Sequence, residues 1–115
     1  MSLQQDLMSI ERTFWTGGPE AYEDHADDKC LVVFADMAST MSRQDIAKTA
    51  EKGRWEHVAL EPKGLAELDD ASAVVTYECT AERKDGRAYH ALVSSAYVKR
   101  RDGWKLAFHQ QTPMQ

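Results

Sequence analysis

Two Asp-Gly pairs divide the C-terminal part of the chain into three strand-like runs, and this pattern constrains the fold more than any other feature. The runs cover residues 73–80, 88–99 and 104–110, and the pairs between them are Asp85-Gly86 and Asp102-Gly103. Asp-Gly between β-rich runs is a strong hairpin signal, because glycine adopts positive φ angles without steric cost. The pattern therefore predicts a three-stranded antiparallel meander.

The N-terminal part has helical periodicity instead. Leu3, Leu7, Ile10 and Phe14 recur at the spacing of one helix face, and Glu11 falls among the polar residues on the rest of the helix surface. Glycines at positions 17 and 18 should end this helix, because glycine suits the conformation of a helix C-terminus. A second helix is predicted from residue 19 until a pair of aspartates at 27 and 28 interrupts it.

Short elements alternate in the middle of the chain. A buried strand is expected at residues 30–34, and a loop should follow it as far as residue 41. Ser42 has the character of a helix N-cap, so a third helix is predicted to start there and to reach about residue 52.

Two further strand candidates precede the meander. The strand at residues 55–60 is expected to end at Pro62, because proline lacks the amide donor that a strand ladder needs. Residues 65–68 are the other candidate. Helices followed mainly by strands indicate one α+β domain over residues 1–115, with the helices packed on one face of an antiparallel sheet.

Composition excludes several function classes. The 115-residue chain is 43% hydrophobic and 29% charged, which is typical of a globular domain. Its formal net charge is −5 without a compensating basic cluster, which argues against nucleic acid as a partner. No signal peptide and no apolar run of membrane-spanning length is recognisable, so we expect a cytoplasmic protein with no membrane partner.

Cysteine and histidine residues provide no metal motif. Cys30 and Cys79 lie in or beside apolar runs, and we interpret them as buried thiols, with a disulfide as the alternative. Apart from His109, the histidines lie at positions 25, 57 and 90, and no two of them have the spacing of metal ligands. Neither a metal nor a cofactor is therefore expected. No base partner is visible for a nucleophilic Cys79 or Ser95.

Three segments carry a family resemblance. They are residues 11–15 (ERTFW), residues 41–46 (MSRQDI), and the ending DGW…HQQTP at residues 102–113, which follows a VVTY strand at 74–77. Together they resemble the nuclear-transport-factor-2-like superfamily, which includes SnoaL-like polyketide cyclases and ketosteroid isomerase, and in particular a group of small uncharacterised bacterial proteins.

The resemblance implies a cone-shaped curved antiparallel sheet wrapped around N-terminal helices, a cystatin-like α+β barrel with a pocket inside. It also implies a homodimer that pairs through the sheet face. Enzymes of this superfamily place a carboxylate base on the early strand. Here residues 31–34 (LVVF) carry no titratable side chain, and Asp36 lies beyond them. This departure argues against chemistry by the family mechanism, and fold alone specifies no reaction.

Six residues are candidates for a site. His109 could act as a hydrogen-bond partner or general base, with Tyr77 and Asp36 as helpers. Trp15, Tyr22 and Trp55, together with Tyr77 and His109, could line a pocket for a flat apolar ligand. The alternative for each aromatic residue and for His109 is ordinary packing in a small core.

Three functions follow as hypotheses. The first is a small-molecule-binding protein with its pocket inside the cone, whose partner is a small hydrophobic molecule. The second is an isomerase, cyclase or dehydratase that uses His109 as general base. The third is an association module whose interior is simply core.

Overall fold

The computed structural model describes residues 2–114. Three helices and six strands follow one another along the chain: α1 (Leu3–Thr16), α2 (Pro19–His25), β1 (Ala26–Phe34), β2 (Met37–Ser42), α3 (Arg43–Thr49), β3 (Trp55–Asp69), β4 (Ser72–Arg83), β5 (Ala88–Arg100) and β6 (Gly103–Pro113). This order of elements confirms the α+β class.

The strands form a single curved sheet that does not close, in the order β2-β1-β6-β5-β4-β3. The predicted meander is confirmed as β4, β5 and β6, each antiparallel to the next. Its turns use glycine where φ is positive, at Gly86 (89°) and Gly103 (119°). One pair departs from the antiparallel pattern, because β1 runs parallel to β6.

Helix α1 forms for the reasons visible in its sequence. Ser2 and Gln5 make a reciprocal capping box at its start, which satisfies amides that lack helical partners. Leu7 is completely buried, and Leu3, Ile10 and Phe14 pack against the same core, as the spacing predicts. The helix thus lies against the inner face of the sheet.

Strand β1 and the following segment differ from the prediction. The strand begins at Ala26, so Asp27 and Asp28 lie inside it and do not form a break. Both carboxylates are accommodated by ion pairs, Asp27 with Arg100 at 2.8 Å and Asp28 with Arg43 at 2.7 Å. The predicted loop up to residue 41 was also wrong, because Met37–Ser42 pairs with β1 as an antiparallel edge strand.

Helix α3 begins where predicted but is shorter. The Ser42 hydroxyl accepts a hydrogen bond from the Asp45 amide at 3.1 Å, which confirms the N-cap. The helix ends at Thr49, and not near residue 52. Its buried residues are Ile46 and Ala47.

Strand β3 passes through the proline that was expected to end it. Pro62 pairs with Tyr77, and the ladder shifts register between Pro62 and Gly64 before it continues to Asp69. Proline is tolerated here because β3 is the last strand of the sheet, where an absent donor leaves no neighbour unpaired. The two short predicted strands are therefore one long strand.

The helices all pack on one face of the sheet, and the interior contains two clusters of buried side chains. One is mainly aliphatic and surrounds Leu7, Val32, Val75 and Leu106. The other is mainly aromatic and surrounds Trp15 and Tyr77, with Trp55 and Tyr89 packed against it. No helix among residues 2–114 is long and apolar enough to cross a membrane.

Candidate functional site

A cavity of about 590 Å³ opens inside the curve of the sheet, and its rim is formed by the segment after β1, the end of α3 and strand β3. Six aromatic side chains line it: Phe14, Trp15, Tyr22, Phe34, Trp55 and Tyr89. We refer to this cavity as the cone pocket. Two further depressions lie on the outside of the chain and are shallower, and neither is lined by an aromatic residue.

The cone pocket brings together most of the residues selected from sequence. Its lining includes Trp15, Tyr22, Asp36, Trp55 and His109. Tyr77 is not part of the lining: it is fully buried behind Trp15, whose indole Nε1 donates to the Tyr77 hydroxyl at 2.9 Å. Tyr77 therefore lacks the direct access to a ligand that its predicted role requires.

A buried carboxylate lies behind the pocket, and the sequence interpretation missed it. Glu11 was assigned to the polar surface of α1, but its exposed fraction is 0%. Its Oε1 accepts from the Tyr77 hydroxyl at 2.5 Å and from the Ser95 hydroxyl at 2.9 Å, and its Oε2 accepts from the Tyr97 hydroxyl. Three donors converge on two oxygens, which is the arrangement that an ionised carboxylate needs.

These contacts alter the tyrosines as well. Burial, followed by the Glu11 charge, raises the pKa of Tyr77 and of Tyr97 well above the usual value. Both phenols therefore stay protonated and remain donors to Glu11.

His109 reaches this group through a β-bulge in β6. Ala96 pairs with Phe108 and Tyr97 pairs with Leu106, so Ala107 is an extra residue in the strand. The bulge brings Leu106 and His109 to the same inner face, where simple alternation placed them on opposite faces.

The hydrogen-bond network assigns the His109 tautomer. Ser95 has one hydroxyl proton, which it donates to Glu11, so its oxygen accepts from His109 Nδ1–H at 2.8 Å. His109 Nε2 then carries the lone pair and accepts from the Gln111 amide at 3.0 Å. Burial lowers the pKa of His109, with the nearby Glu11 opposing this effect, so the imidazole is neutral.

The chain of hydrogen bonds continues to the pocket wall. The Tyr89 hydroxyl donates to Gln111 Oε1 at 2.8 Å, which orients the amide so that its nitrogen faces His109. The hydrogen bonds therefore all run in one direction: Tyr89 donates to Gln111, Gln111 to His109, His109 to Ser95, and Ser95 to Glu11. Among residues 2–114, no buried side-chain nitrogen or oxygen lacks a partner.

This arrangement limits the chemistry that the site can perform directly. The basic nitrogen of His109 is occupied by Gln111, so a substrate would have to displace that amide before proton abstraction. Ser95 does have a histidine partner, contrary to the sequence interpretation, but it is fully buried and gives its proton to Glu11. It is therefore not positioned as a nucleophile.

Both cysteines lie in the interior of the protein. Cys30 and Cys79 are both buried free thiols, which agrees with the preferred interpretation over a disulfide. Burial, together with smaller effects of nearby carboxylates, raises the pKa of Cys30 to about 12, and burial alone raises that of Cys79 to about 12. Between residues 2 and 114, no cluster of three or more suitable side chains could hold a metal ion.

The missed residue left a weak signal in the sequence. Glu11 lies four residues after Leu7 and four before Trp15, which places it in line with two core residues on the same helix face. From sequence alone, a carboxylate in such a position is assigned to the protein surface unless its hydrogen-bond partners are known. Those partners, Tyr77, Ser95 and Tyr97, are more than sixty positions away.

Solved structures establish the fold. A nuclear-transport-factor-2-like protein of unknown function from Prochlorococcus marinus superposes with a TM-score of 0.81 at 17% identity, covering 100% of this chain and 95% of that one. The chain has the nuclear-transport-factor-2-like fold. The resemblance detected in residues 11–15, 41–46 and 102–113 is thereby confirmed at the level of the fold.

Other structures with the nuclear-transport-factor-2-like fold differ in their described roles. A candidate ketosteroid isomerase from Parabacteroides distasonis has a TM-score of 0.79 at 12% identity and covers 99% of this chain and 89% of its own. A candidate Ca²⁺/calmodulin-dependent kinase II association domain from Exiguobacterium sibiricum has a TM-score of 0.71 at 17% identity, with 100% and 96% covered. No family model and no curated protein matches the sequence.

Proposed function

We propose that this protein binds a small, largely apolar molecule in the cone pocket. The observation that carries the proposal is the pocket itself, whose volume of about 590 Å³ lies within the range of small-molecule sites. Its wall is mainly aromatic and aliphatic, and among its polar side chains Tyr89, Gln111 and His109 orient one another through hydrogen bonds. Such a lining suits a ligand with an apolar body and one or two polar groups.

Binding is favoured over catalysis by the state of the polar groups. His109 is neutral, and both of its nitrogens are engaged, Nδ1 with Ser95 and Nε2 with Gln111. The Tyr77 hydroxyl donates its proton to Glu11, and Tyr77 does not line the pocket. In this state the network supports the pocket wall and leaves the aromatic faces as the main contact surface for a ligand.

A pocket-filling variant tests the proposal. Ala50 lines the cavity at the end of α3 in an extended conformation that any side chain can adopt, so Ala50→Phe should occupy the space that a ligand needs. Ala59→Phe is the matched control, because Ala59 is exposed on β3 away from the lining. Binding is measured with Nile red, an uncharged dye whose fluorescence increases in apolar surroundings.

We expect the unmodified protein and Ala59→Phe to bind the dye and Ala50→Phe to bind at least about tenfold more weakly, because overlap with a filled site removes most of the contact. Displacement of the dye by steroids or aromatic polyketides would then identify ligand classes. Equal binding by all three proteins, or no binding by any of them, would refute the proposal.

An isomerase, cyclase or dehydratase is the second candidate function. It is favoured by one observation: Asp36 and His109 line the same cavity, so a substrate there could contact both. This function requires the substrate to replace the Gln111 amide at His109 Nε2. Turnover of ketosteroid or hydroxycarbonyl substrates should fall at least a hundredfold in His109→Ala if His109 is the base. Turnover that survives both His109→Ala and Asp36→Asn would eliminate this candidate.

Two copies of the chain, we further propose, associate through the outer face of the sheet. A row of apolar residues crosses that face on neighbouring strands: Leu31, Phe108, Ala96 and Val74. Leu31 is 43% exposed, and the three helices described between residues 2 and 114 pack against the opposite, inner face. The neighbour described as an association domain shares the fold, which supports the same idea.

Sedimentation velocity tests this association. Leu31→Lys places a charge in the apolar row and should convert a dimer into a monomer at micromolar concentration. Leu68→Lys is the control, because Leu68 is exposed near the β3–β4 turn and outside the row. A monomeric unmodified protein, or a dimer unaffected by Leu31→Lys, would contradict the proposed interface.

A further inference from the structure

Three aromatic rings meet at one wall of the cone pocket. The centroids of Trp15 and Trp55 are 5.3 Å apart, those of Trp55 and Tyr89 are 5.0 Å apart, and those of Trp15 and Tyr89 are 6.1 Å apart. The faces of such rings carry negative electrostatic potential, which attracts cations. We call these three residues the aromatic wall.

A cation from the chain itself already lies on the aromatic wall. The Arg83 guanidinium carbon is 4.8 Å from the centre of the Trp55 ring and 5.7 Å from that of Tyr89. Arg83 is exposed, and within residues 2–114 no carboxylate forms an ion pair with it. Its position therefore reflects attraction to the rings, and an exposed side chain of this kind can move away when a ligand arrives.

A negative charge lies behind the same wall. Trp15 donates to Tyr77, and Tyr77 in turn donates to the completely buried Glu11. All three hydroxyls that stabilise Glu11 are uncharged, and the nearest basic group is the neutral His109, with Nδ1 at 3.7 Å. Within the described part of the chain, residues 2–114, no buried cation balances the Glu11 charge. Its field extends to the pocket lining, since burial and then Glu11 raise the pKa of Tyr22.

The other charged residues of the pocket lining do not outweigh the negative charge of Glu11. Arg54 donates to the Thr49 carbonyl at 2.9 Å and forms an exposed ion pair with Glu51 at 3.7 Å, which offsets part of its charge. Asp36 adds a second negative charge at the rim. With Arg83 displaced, Arg54 would be the remaining cation of the lining, and Glu51, Asp36 and the buried Glu11 would oppose it.

We propose that the cone pocket selects an organic cation, a protonated amine or quaternary ammonium group on an apolar body, whose charge takes the place of Arg83 on the aromatic wall. This inference rests on the proposed binding function and specifies the class of ligand. The aromatic faces provide the contact, and the Glu11 carboxylate favours positive charge through the low-dielectric interior.

Three probes of matched shape test the choice of charge. Choline carries the quaternary nitrogen, its carbon isostere replaces that nitrogen with an uncharged carbon, and the tert-butylacetate anion reverses the charge. Binding of each is measured by titration calorimetry. Choline should bind about tenfold or more tightly than the isostere, as expected for a partly desolvated cation–π contact, and the anion should bind most weakly.

Variants distinguish the aromatic wall from a general charge effect. Arg83→Gln should tighten choline binding about threefold or more, because the competing cation is removed. Trp55→Leu should weaken it about tenfold. Trp104→Leu is the matched control, since the Trp104 ring faces Lys99 and is not part of the pocket lining. Circular dichroism checks that each variant is folded.

The outcomes separate this inference from the function on which it rests. Binding of Nile red together with equal affinity for choline and its isostere, or with tightest binding of the anion, would refute the selection of a cation but leave the binding function intact. Weaker choline binding in Arg83→Gln would also refute it, because Arg83 would then assist the ligand. Absence of Nile red binding would refute the binding function itself.

Discussion

Two groups of histidine and glutamate lie on opposite faces of the same sheet. On the inner face, His109 reaches Glu11 through Ser95. On the outer face, His90 Nε2 contacts Glu78 Oε2 directly at 2.6 Å. Ser95 and His90 both lie on strand β5, so a difference in secondary structure does not distinguish the two groups.

The difference between them is access to water. The side chains of His109 and Glu11 are 6% and 0% exposed, whereas those of His90 and Glu78 are 37% and 28% exposed. Water can replace a lost partner at His90 and Glu78, which lie outside the apolar row, so this contact contributes little to the free energy of folding. On the inner face a lost acceptor leaves donors unpaired, which is far more costly. Histidine and glutamate therefore contribute more to the free energy of folding on the inner face than on the outer face.

Removal of the two carboxylates provides the strongest test of this difference. Glu11→Ala leaves the hydroxyls of Tyr77, Ser95 and Tyr97 without their acceptor, and should lower the free energy of unfolding by at least about 3 kcal/mol. Glu78→Ala should lower it by less than about 1 kcal/mol. Urea denaturation measures both. Comparable losses in the two variants would show that burial does not govern the difference.

A smaller effect is expected from the neighbouring serines of β5. Ser95 is fully buried and links His109 to Glu11, while Ser94 faces the other side of the sheet. Ser95→Ala should lower the free energy of unfolding by about 1–3 kcal/mol, because it removes a donor and an acceptor from the network. Ser94→Ala should remain within about 0.5 kcal/mol of the unmodified protein. A reversed order would contradict the assigned network.

The smallest expected effect is on the pH dependence of stability. Burial lowers the pKa of His109 below its usual value of 6.5, so the unfolded chain takes up a proton at a higher pH than the folded one. The contribution of neutral His109 is therefore complete above about pH 6.5 and is lost as the pH falls from there to the folded-state pKa. Urea denaturation at a series of pH values should show this decline, and His109→Gln should reduce it. An unchanged decline in His109→Gln would show that other groups cause it.

The meander could be predicted from sequence because its signals are local. Asp85-Gly86 and Asp102-Gly103 specify their turns through residues that are adjacent in the chain, and the strand runs alternate with period two. The Ser42 cap was predictable for the same reason. The aromatic lining of the pocket, including Trp15 and Trp55, followed from the fold resemblance together with residue type.

Predictions failed where the outcome depended on a neighbouring strand. Pro62 ends a strand in the interior of a sheet but not at its edge, and the sequence alone does not indicate that β3 is the edge. Residues 37–42 lack a strong strand pattern, and they become a strand by pairing with β1. The bulge at Ala107 likewise exists only in relation to β5.

The sequence by itself determined the α+β class, the three-stranded meander and the amphipathic first helix, because these depend on interactions between residues close together in the chain. Only the tertiary structure decided the role of Glu11. A glutamate is stable inside a protein only if donors surround it, and its donors come from β4 and β5, at the far end of the sequence. The physical reason is that burial of a charge is a property of the assembled core and not of any one segment.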